Sequence, residues 1–135
     1  MILSVVAAAA VAMAPVHEAP DAAGVRHAED LWGEAFVTGD AATLEALLDA
    51  QYVSVNAAGV ARPKDKVISL ARDYAAKNPG QHGTPLDATS TIRVIGKTAL
   101  VQHHAPGGFS MDLFYYDGGR WKAWYSQHAA APPAA

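Results

Sequence analysis

Four apolar runs in the second half of the chain are separated by links of only two to four residues. The runs span 86–95, 98–104, 109–116 and 120–128, and the links between them read GK, APGG and DGG. Links this short, each containing glycine, are typical of β-hairpins, so consecutive runs are expected to lie side by side as antiparallel strands. This four-stranded meander restricts the possible folds more than any other feature of the sequence.

The first half of the chain has a different pattern. Helical spacing of apolar residues predicts helices over 25–37, 41–50 and 63–77, and strict alternation predicts one strand over 51–56. Three helices and a strand followed by a meander are typical of the α+β class, in which the helices pack on one face of a curved antiparallel sheet.

Length and composition exclude several kinds of protein. A chain of 135 residues forms one domain with a core of its own. The net charge of −3 argues against a nucleic-acid-binding protein. The sequence has no cysteine, which excludes disulfides, thiolate catalysis and the common structural zinc sites.

The first residues are apolar and alanine-rich. The run 2–14 is too short to span a bilayer, but its length and its small-residue motifs AVA and AMA fit a signal peptide. No Lys or Arg precedes the run, and the alternatives are an alanine-rich terminal helix or a misplaced start codon. We therefore predict a signal peptide at 1–14, a linker at 15–24, one domain at 25–128 and a disordered tail at 129–135. The protein would be exported to a bacterial periplasm, with no stable membrane insertion after cleavage.

Three segments together resemble a known superfamily. They are LWGEAFVTGDAATLEALL, YVSVNAAGVARPKDKV and YYDGGRWKAWYSQH. In this order and spacing they resemble the nuclear transport factor 2-like superfamily, and within it the SnoaL-like and ketosteroid isomerase-related branch of small bacterial domains. The resemblance implies a cone in which a curved antiparallel sheet wraps around three N-terminal helices and leaves a pocket at the open end. It does not imply one activity, because this fold hosts isomerases, cyclases, dehydratases, epoxide hydrolases and binding modules.

The resemblance also implies positions for a catalytic set. Ketosteroid isomerase-like members carry a phenol on the first helix, a carboxylate base at the end of the first strand and a protonated acid on a later strand. Those positions fall on Trp32, Asn56 and Asp112, so only the last keeps the expected chemistry. An amide cannot accept a proton at neutral pH, and an indole has no useful acidity, so steroid-type isomerisation is not expected.

Asp112 is also conspicuous without the resemblance. It lies in the middle of a strand that is largely apolar on both faces, which predicts a buried carboxyl group. His128 lies on the adjacent strand, in register with Ser126, and an Asp–His pair on neighbouring strands can transfer protons. We predict Asp112 and His128 as the catalytic pair. The alternatives are a solvent-facing or purely structural carboxylate and a histidine at the rim of the sheet.

Five further residues are predicted to bind a substrate: Trp32, Tyr52, Asn56, Phe114 and Trp124. His103 and His104 are consecutive on a strand, so at most one of them can enter the pocket. No metal-binding motif is present, and we predict neither a metal nor a cofactor.

Two functions are compatible with these features. The first is a cofactor-free acid–base lyase, isomerase or hydrolase acting on a small apolar or aromatic molecule. The second is a non-catalytic ligand-binding or protein-association domain in the periplasm. A homodimer is predicted in both cases, because the outer sheet face carries a large apolar patch. The residues assigned to that patch are Met111, Leu113, Tyr115, Trp121 and Tyr125.

Overall fold

The computed structural model describes residues 17–105 and 107–133, so the predicted signal peptide lies outside the described residues. The helices are α1 (Ala22–Thr38), α2 (Ala41–Leu47) and α3 (Lys64–Lys77). The strands are β1 (Leu48–Val55), β2 (Ala61–Pro63), β3 (Thr91–Ile95), β4 (Thr98–Ala105), β5 (Gly108–Asp117) and β6 (Arg120–Ala130). Within the described ranges, no helix is long and apolar enough to cross a membrane.

Local capping sets the bounds of the first two helices. Asp21 accepts hydrogen bonds from the backbone of Ala23 and Gly24, both at 3.0 Å, and so begins α1. Gly39 ends it in the left-handed conformation, with φ of 71°, which a residue with a Cβ adopts at a cost. Asp40 follows at once and caps α2 through the backbone of Thr43 at 3.1 Å. The two helices are therefore joined by a sharp corner that the sequence specifies locally.

The six strands form one sheet in the order β2-β1-β6-β5-β4-β3. The predicted meander is confirmed, since β3 to β6 pair as consecutive antiparallel neighbours. Strand β1 pairs in parallel with β6 and antiparallel with β2. The segment AAGVARP, residues 57–63, therefore contributes the short edge strand β2, for which the sequence predicted no strand.

Residues 81–87, called the wall segment below, are bound along α1 and do not form the start of β3. Leu86 donates its N–H to Asp30 at 2.6 Å, and its carbonyl accepts from Arg26 at 3.0 Å. Gly83 donates to Glu34 at 2.6 Å. Because side chains of α1 hold these backbone groups, the strand predicted to begin at residue 86 begins only at Thr91.

The core lies between the helices and the concave face of the sheet. Its largest fully buried side chains are those of Tyr52, Phe114 and Trp121. Trp32 on α1 packs edge-on against two of them, with ring centroids 5.5 Å from Tyr52 and 6.0 Å from Phe114. These contacts bring α1 onto the strands that carry the polar groups described below.

Residues 18–19, within the segment predicted as a linker, hold the β5–β6 turn. Glu18 donates its N–H to Gly119 at 2.8 Å and accepts through its carboxylate from the backbone of Trp121 at 2.5 Å. Its carbonyl accepts from the hydroxyl of Tyr116 at 2.7 Å, and the indole of Trp121 donates to Ala19 at 2.9 Å. Residues 18–19 therefore cover the end of the sheet opposite the cavity.

A β-bulge in β6 corrects two predictions about its faces. Leu113 pairs with Tyr125 and Phe114 pairs with Ala123, so Trp124 is the extra residue and the side-chain alternation shifts by one. Trp124, expected to face inward with Ser126, is 51% exposed on the outer face. Trp121, expected on the outer face, is 2% exposed and packs against Tyr116 on the helical side.

Candidate active site

A cavity of about 880 Å³ lies between α1, α3, the wall segment and the concave face of the sheet. Its apolar lining includes Trp32, Phe36, Val67, Leu70 and Leu86. Its polar lining includes Glu29, Tyr52, Ser54, Asn56, Arg62, His103, Ser110, Asp112, Ser126 and His128. This mixture of an apolar wall and a small polar floor is typical of small-molecule sites.

Asp112 is buried at the cavity floor with both carboxylate oxygens engaged. Oδ1 accepts a short hydrogen bond from the hydroxyl of Ser126, which lies directly opposite on β6. Oδ2 lies 2.7 Å from Nε2 of His103 on β4. The hydroxyl of Tyr52 in turn donates to Ser126 at 2.8 Å. A continuous hydrogen-bonded chain thus runs from β1 through β6 and β5 to β4.

The protonation state of Tyr52 determines which groups donate and which accept along this chain of hydrogen bonds. Burial raises the pKa of its phenol well above the ordinary value, so the group stays protonated and acts as a donor. The proton of Ser126 is therefore directed at Asp112. Ser126 holds the carboxylate in place, Tyr52 holds Ser126, and neither hydroxyl is left to act as a nucleophile.

Glu29 reaches the same floor from α1. Its side chain is 8% exposed, and Oε1 lies 3.5 Å from Nε2 of His103 without a hydrogen-bond partner among the described residues. Burial raises the pKa of Glu29 to about 7, and the neighbouring His103 offsets only part of that effect. A carboxyl group that is half ionised near neutral pH therefore faces the cavity.

His103 has the opposite character. Burial alone would lower the pKa of its imidazole, but the hydrogen bond to Asp112 and the negative charges of Glu29 and Asp112 raise it to about 10. The ring is therefore an imidazolium at neutral pH, and both carboxylate contacts use Nε2. Nδ1 also carries a proton in this form, and neither carboxylate occupies it.

Within the described residues, no hydrogen bond joins the two predicted catalytic residues, Asp112 and His128. His128 lines the cavity but is exposed and lies opposite Ser110, while the imidazole that contacts Asp112 is His103. Both histidines flank Ser110, one on each neighbouring strand. The difference arises because Glu29 adds a second carboxylate on the β4 side and so favours a cation there.

Only some of the predicted binding residues line the cavity. Trp32, Tyr52 and Asn56 line the cavity, whereas Phe114 is 1% exposed in the core behind Trp32, and Trp124 lies outside. The side-chain oxygen of Asn56 accepts from Ala58 and Val60 at 3.0 and 2.9 Å. It holds the turn before β2, so only its NH₂ group can serve a bound molecule.

Sequence reasoning missed Glu29, and one signal could have found it. Glu29 lies four residues after Val25 and three before Trp32, on the apolar stripe of α1. The neighbouring acids Asp30 and Glu34 lie off that stripe and bind the wall segment. An acid within an apolar helical stripe is a candidate for a buried carboxyl group.

The same cluster has the spacing of a metal site. Ligand atoms of Glu29, His103 and Asp112 all lie within 4.8 Å of one another, and a divalent cation could use such a donor set. A metal needs the neutral imidazole, whereas His103 holds its proton at neutral pH. A cation would therefore have to displace a proton from the site.

Comparison with known proteins identifies the fold. No family model and no curated protein matches the sequence. Among solved structures, a candidate dehydratase of the NTF2-like family from Streptomyces avermitilis is similar, with 19% identity, a TM-score of 0.63, and coverage of 82% of this chain and 96% of that one. An NTF2-like protein of unknown function from Silicibacter pomeroyi is 16% identical, with a TM-score of 0.62 and coverage of 81% and 94%.

A third similar structure has a different description. It is a candidate calcium/calmodulin-dependent kinase II association domain from Exiguobacterium sibiricum, 16% identical, with a TM-score of 0.57 and coverage of 86% and 98%. Identities this low establish the fold alone. The chain has the nuclear transport factor 2-like fold, as the sequence predicted.

Proposed function

We propose that this chain is a cofactor-free acid–base enzyme, a lyase, isomerase or hydrolase of the SnoaL-like and ketosteroid isomerase-like type. Its substrate would be a small, largely apolar molecule. The observation that carries the proposal is Glu29, a buried carboxyl group with a raised pKa of about 7 and an unpartnered oxygen beside the imidazolium of His103. A general base is most effective when its pKa lies near the working pH.

The roles of the floor residues follow from their protonation states. Ionised Glu29 takes a proton from a C–H bond, and the electron pair of that bond moves toward an adjacent oxygen or leaving group. The imidazolium of His103 donates from Nδ1 to that oxygen, where negative charge develops. If a hydroxyl group leaves, it takes this proton and departs as water. If nothing leaves, return of the proton to another carbon completes an isomerisation.

Asp112 acts by positioning rather than by contact with substrate. Its two oxygens are engaged by Ser126 and His103, so it keeps the imidazole charged and oriented. The resemblance had placed the base at Asn56, where an amide cannot accept a proton. In the proposal, Glu29 supplies the missing carboxylate from the opposite wall of the cavity. The name of the similar Streptomyces protein, a candidate dehydratase, is compatible with this chemistry.

The second candidate remains a non-catalytic ligand-binding domain, exported to the periplasm as the sequence predicts. One observation favours it: a pKa of about 10 lets His103 keep its proton throughout the neutral range, as a binding group does. The two proposals differ in whether Glu29 moves a proton.

The test uses 5-nitrobenzisoxazole, a small aromatic probe. Removal of its C–H proton by a base breaks the N–O bond and releases a coloured phenolate, so the rate reports a general base in an apolar cavity. We expect a rate that rises with pH through an apparent pKa near 7 and falls by about 100-fold or more in Glu29→Gln. Asp73→Asn, which removes an exposed carboxylate of α3 outside the cavity lining, is the control and should have no effect. Equal rates for wild type and Glu29→Gln would favour the binding domain.

A further inference from the structure

One basic side chain lines the cavity away from the floor. Arg62 lies on β2, pairs directly with Ser54 on β1 and is half-buried. Directly opposite residues of an antiparallel pair project to the same face, and Ser54 faces the cavity. Arg62 is the sole lysine or arginine among the described residues that line this cavity.

No carboxylate in the described parts of the chain pairs with Arg62. Two other cations have partners, since Lys64 contacts Glu45 at 2.9 Å and Arg26 donates to the carbonyl of Leu86. Asp87, the remaining carboxylate of the lining, accepts from the backbone of Thr89 at 2.6 Å. A half-buried guanidinium next to an apolar cavity is suited to bind a carboxylate through two parallel hydrogen bonds.

The floor, in contrast, disfavours an anion. Its one imidazolium, His103, already faces the carboxyl groups of Asp112 and Glu29. Once Glu29 is ionised, a third anionic group there would be repelled at short range. The anionic end of a ligand is therefore directed to Arg62 and its apolar end to the floor.

The sheet gives the distance between the two ends. Arg62, Ser54, Ser126 and Asp112 lie opposite one another in a row across β2, β1, β6 and β5. Three strand spacings separate the first and last Cα atoms by about 14 Å along the sheet. The arginine side chain covers part of that span and leaves roughly 7 Å, the length of one or two fused rings.

We propose that the cavity binds an amphipathic monoanion, a carboxylic acid with an aromatic or alicyclic body of one or two rings. Its carboxylate is held by Arg62, and its ring lies against Trp32, Phe36 and Leu70. Its far edge reaches Glu29 and His103. The assignment of that edge as the reacting end rests on the proposed function, whereas the carboxylate site does not.

The test compares two probes of the same shape, 2-naphthoate and the neutral 2-naphthamide, by calorimetric titration of the full protein. We expect at least a tenfold preference for the carboxylate in wild type, weakening as salt concentration rises. Arg62→Gln should remove the preference, and Arg62→Lys should retain part of it, since lysine keeps the charge without the planar fork. Arg93→Gln, an exposed change on β3, is the matched control and should behave as wild type.

The outcomes separate this inference from the proposed function. Equal affinity for the two probes, a preference that survives in Arg62→Gln, or no naphthoate binding at millimolar concentration would each overturn the carboxylate site. Glu29→Gln should leave naphthoate affinity equal or higher, because it removes a negative charge from the floor. A carboxylate preference without any Glu29-dependent reaction of the benzisoxazole probe would keep the site and reject the enzyme.

Discussion

Replacing Glu29 by Gln should stabilise the protein above neutral pH and change little in acid. The folded protein holds the carboxyl proton to a pKa of about 7, against 4.5 for an unperturbed glutamate. The folded state therefore binds more protons than the unfolded chain between those values, and its stability falls as pH rises through that window. The difference of about 2.5 units corresponds to roughly 3 kcal/mol once the pH exceeds 7.

Glutamine keeps the shape of the protonated side chain and cannot ionise, so the variant avoids this cost. Urea unfolding at pH 5.0 and pH 8.0 measures it directly. We expect the free energy of unfolding of wild type to fall relative to Glu29→Gln by about 2–3 kcal/mol between the two pH values. For a domain of this size that corresponds to about 10 °C in Tm.

Two other groups, His103 and Glu34, must be considered in this experiment. The raised pKa of His103 also stabilises the folded state. This stabilisation is complete below pH 6.5 and is lost as pH rises through about 10. Because Glu29 is one cause of the raised pKa, Glu29→Gln removes part of this stabilisation. Glu34→Gln should show no such gain at high pH, because a hydrogen bond from His82 lowers the pKa of Glu34 instead. If the free energies of unfolding of wild type and Glu29→Gln change in parallel with pH, the carboxyl group of Glu29 is not desolvated in the folded protein. Its pKa is then not raised, and Glu29 is rejected as the proposed base.

Three further outcomes are expected. In Asp112→Asn, the pKa of His103 measured by NMR should fall from about 10, and an unchanged pKa of His103 would contradict the pairing. Ser126→Ala leaves two buried oxygen atoms without a partner and should cost about 1–3 kcal/mol by urea unfolding, with a loss below 0.5 kcal/mol arguing against the chain from Tyr52 to Asp112. The outer sheet face, with Trp124 in place of Trp121, should form a homodimer that Trp124→Lys dissociates in sedimentation velocity, and a wild-type monomer at micromolar concentration would refute it.

The sequence predicted those parts of the fold that local chemistry decides. The glycine links between strands specify the meander, and Gly39 and Asp40 specify the corner between the first two helices, although α1 begins at Ala22 rather than at the predicted residue 25. Strand β2 escaped prediction because three residues show no alternation. The late start of β3 was not predicted, because it arises from acids of α1, distant in sequence, that bind the backbone before the strand.

The site was harder to predict because it depends on register and on one bulge. Alternation placed Asp112 on the inner face, but a single extra residue moved Trp124 outward while Ser126 remained inside. The pairing with His103 rather than His128 depends on Glu29, which comes from a helix nearly 75 residues earlier in the chain. No local pattern reports such a contact.

The position of β6 has a consequence for how the chain acquires its structure. Strand β6, the last of the described strands along the chain, is central in the sheet, where it joins β1 to β5, and the contact between Tyr52 and Ser126 spans 74 residues. Before β6 is available, the meander of β3, β4 and β5 and the pair of β1 and β2 share no strand of the sheet, and Trp32 of α1 is a neighbour of both. Closing loops of this length is slow compared with local helix and hairpin formation. A chain without β6 would therefore hold its sheet in two unpaired parts, and Asp112 would gain the hydroxyl of Ser126 only when β6 enters between them.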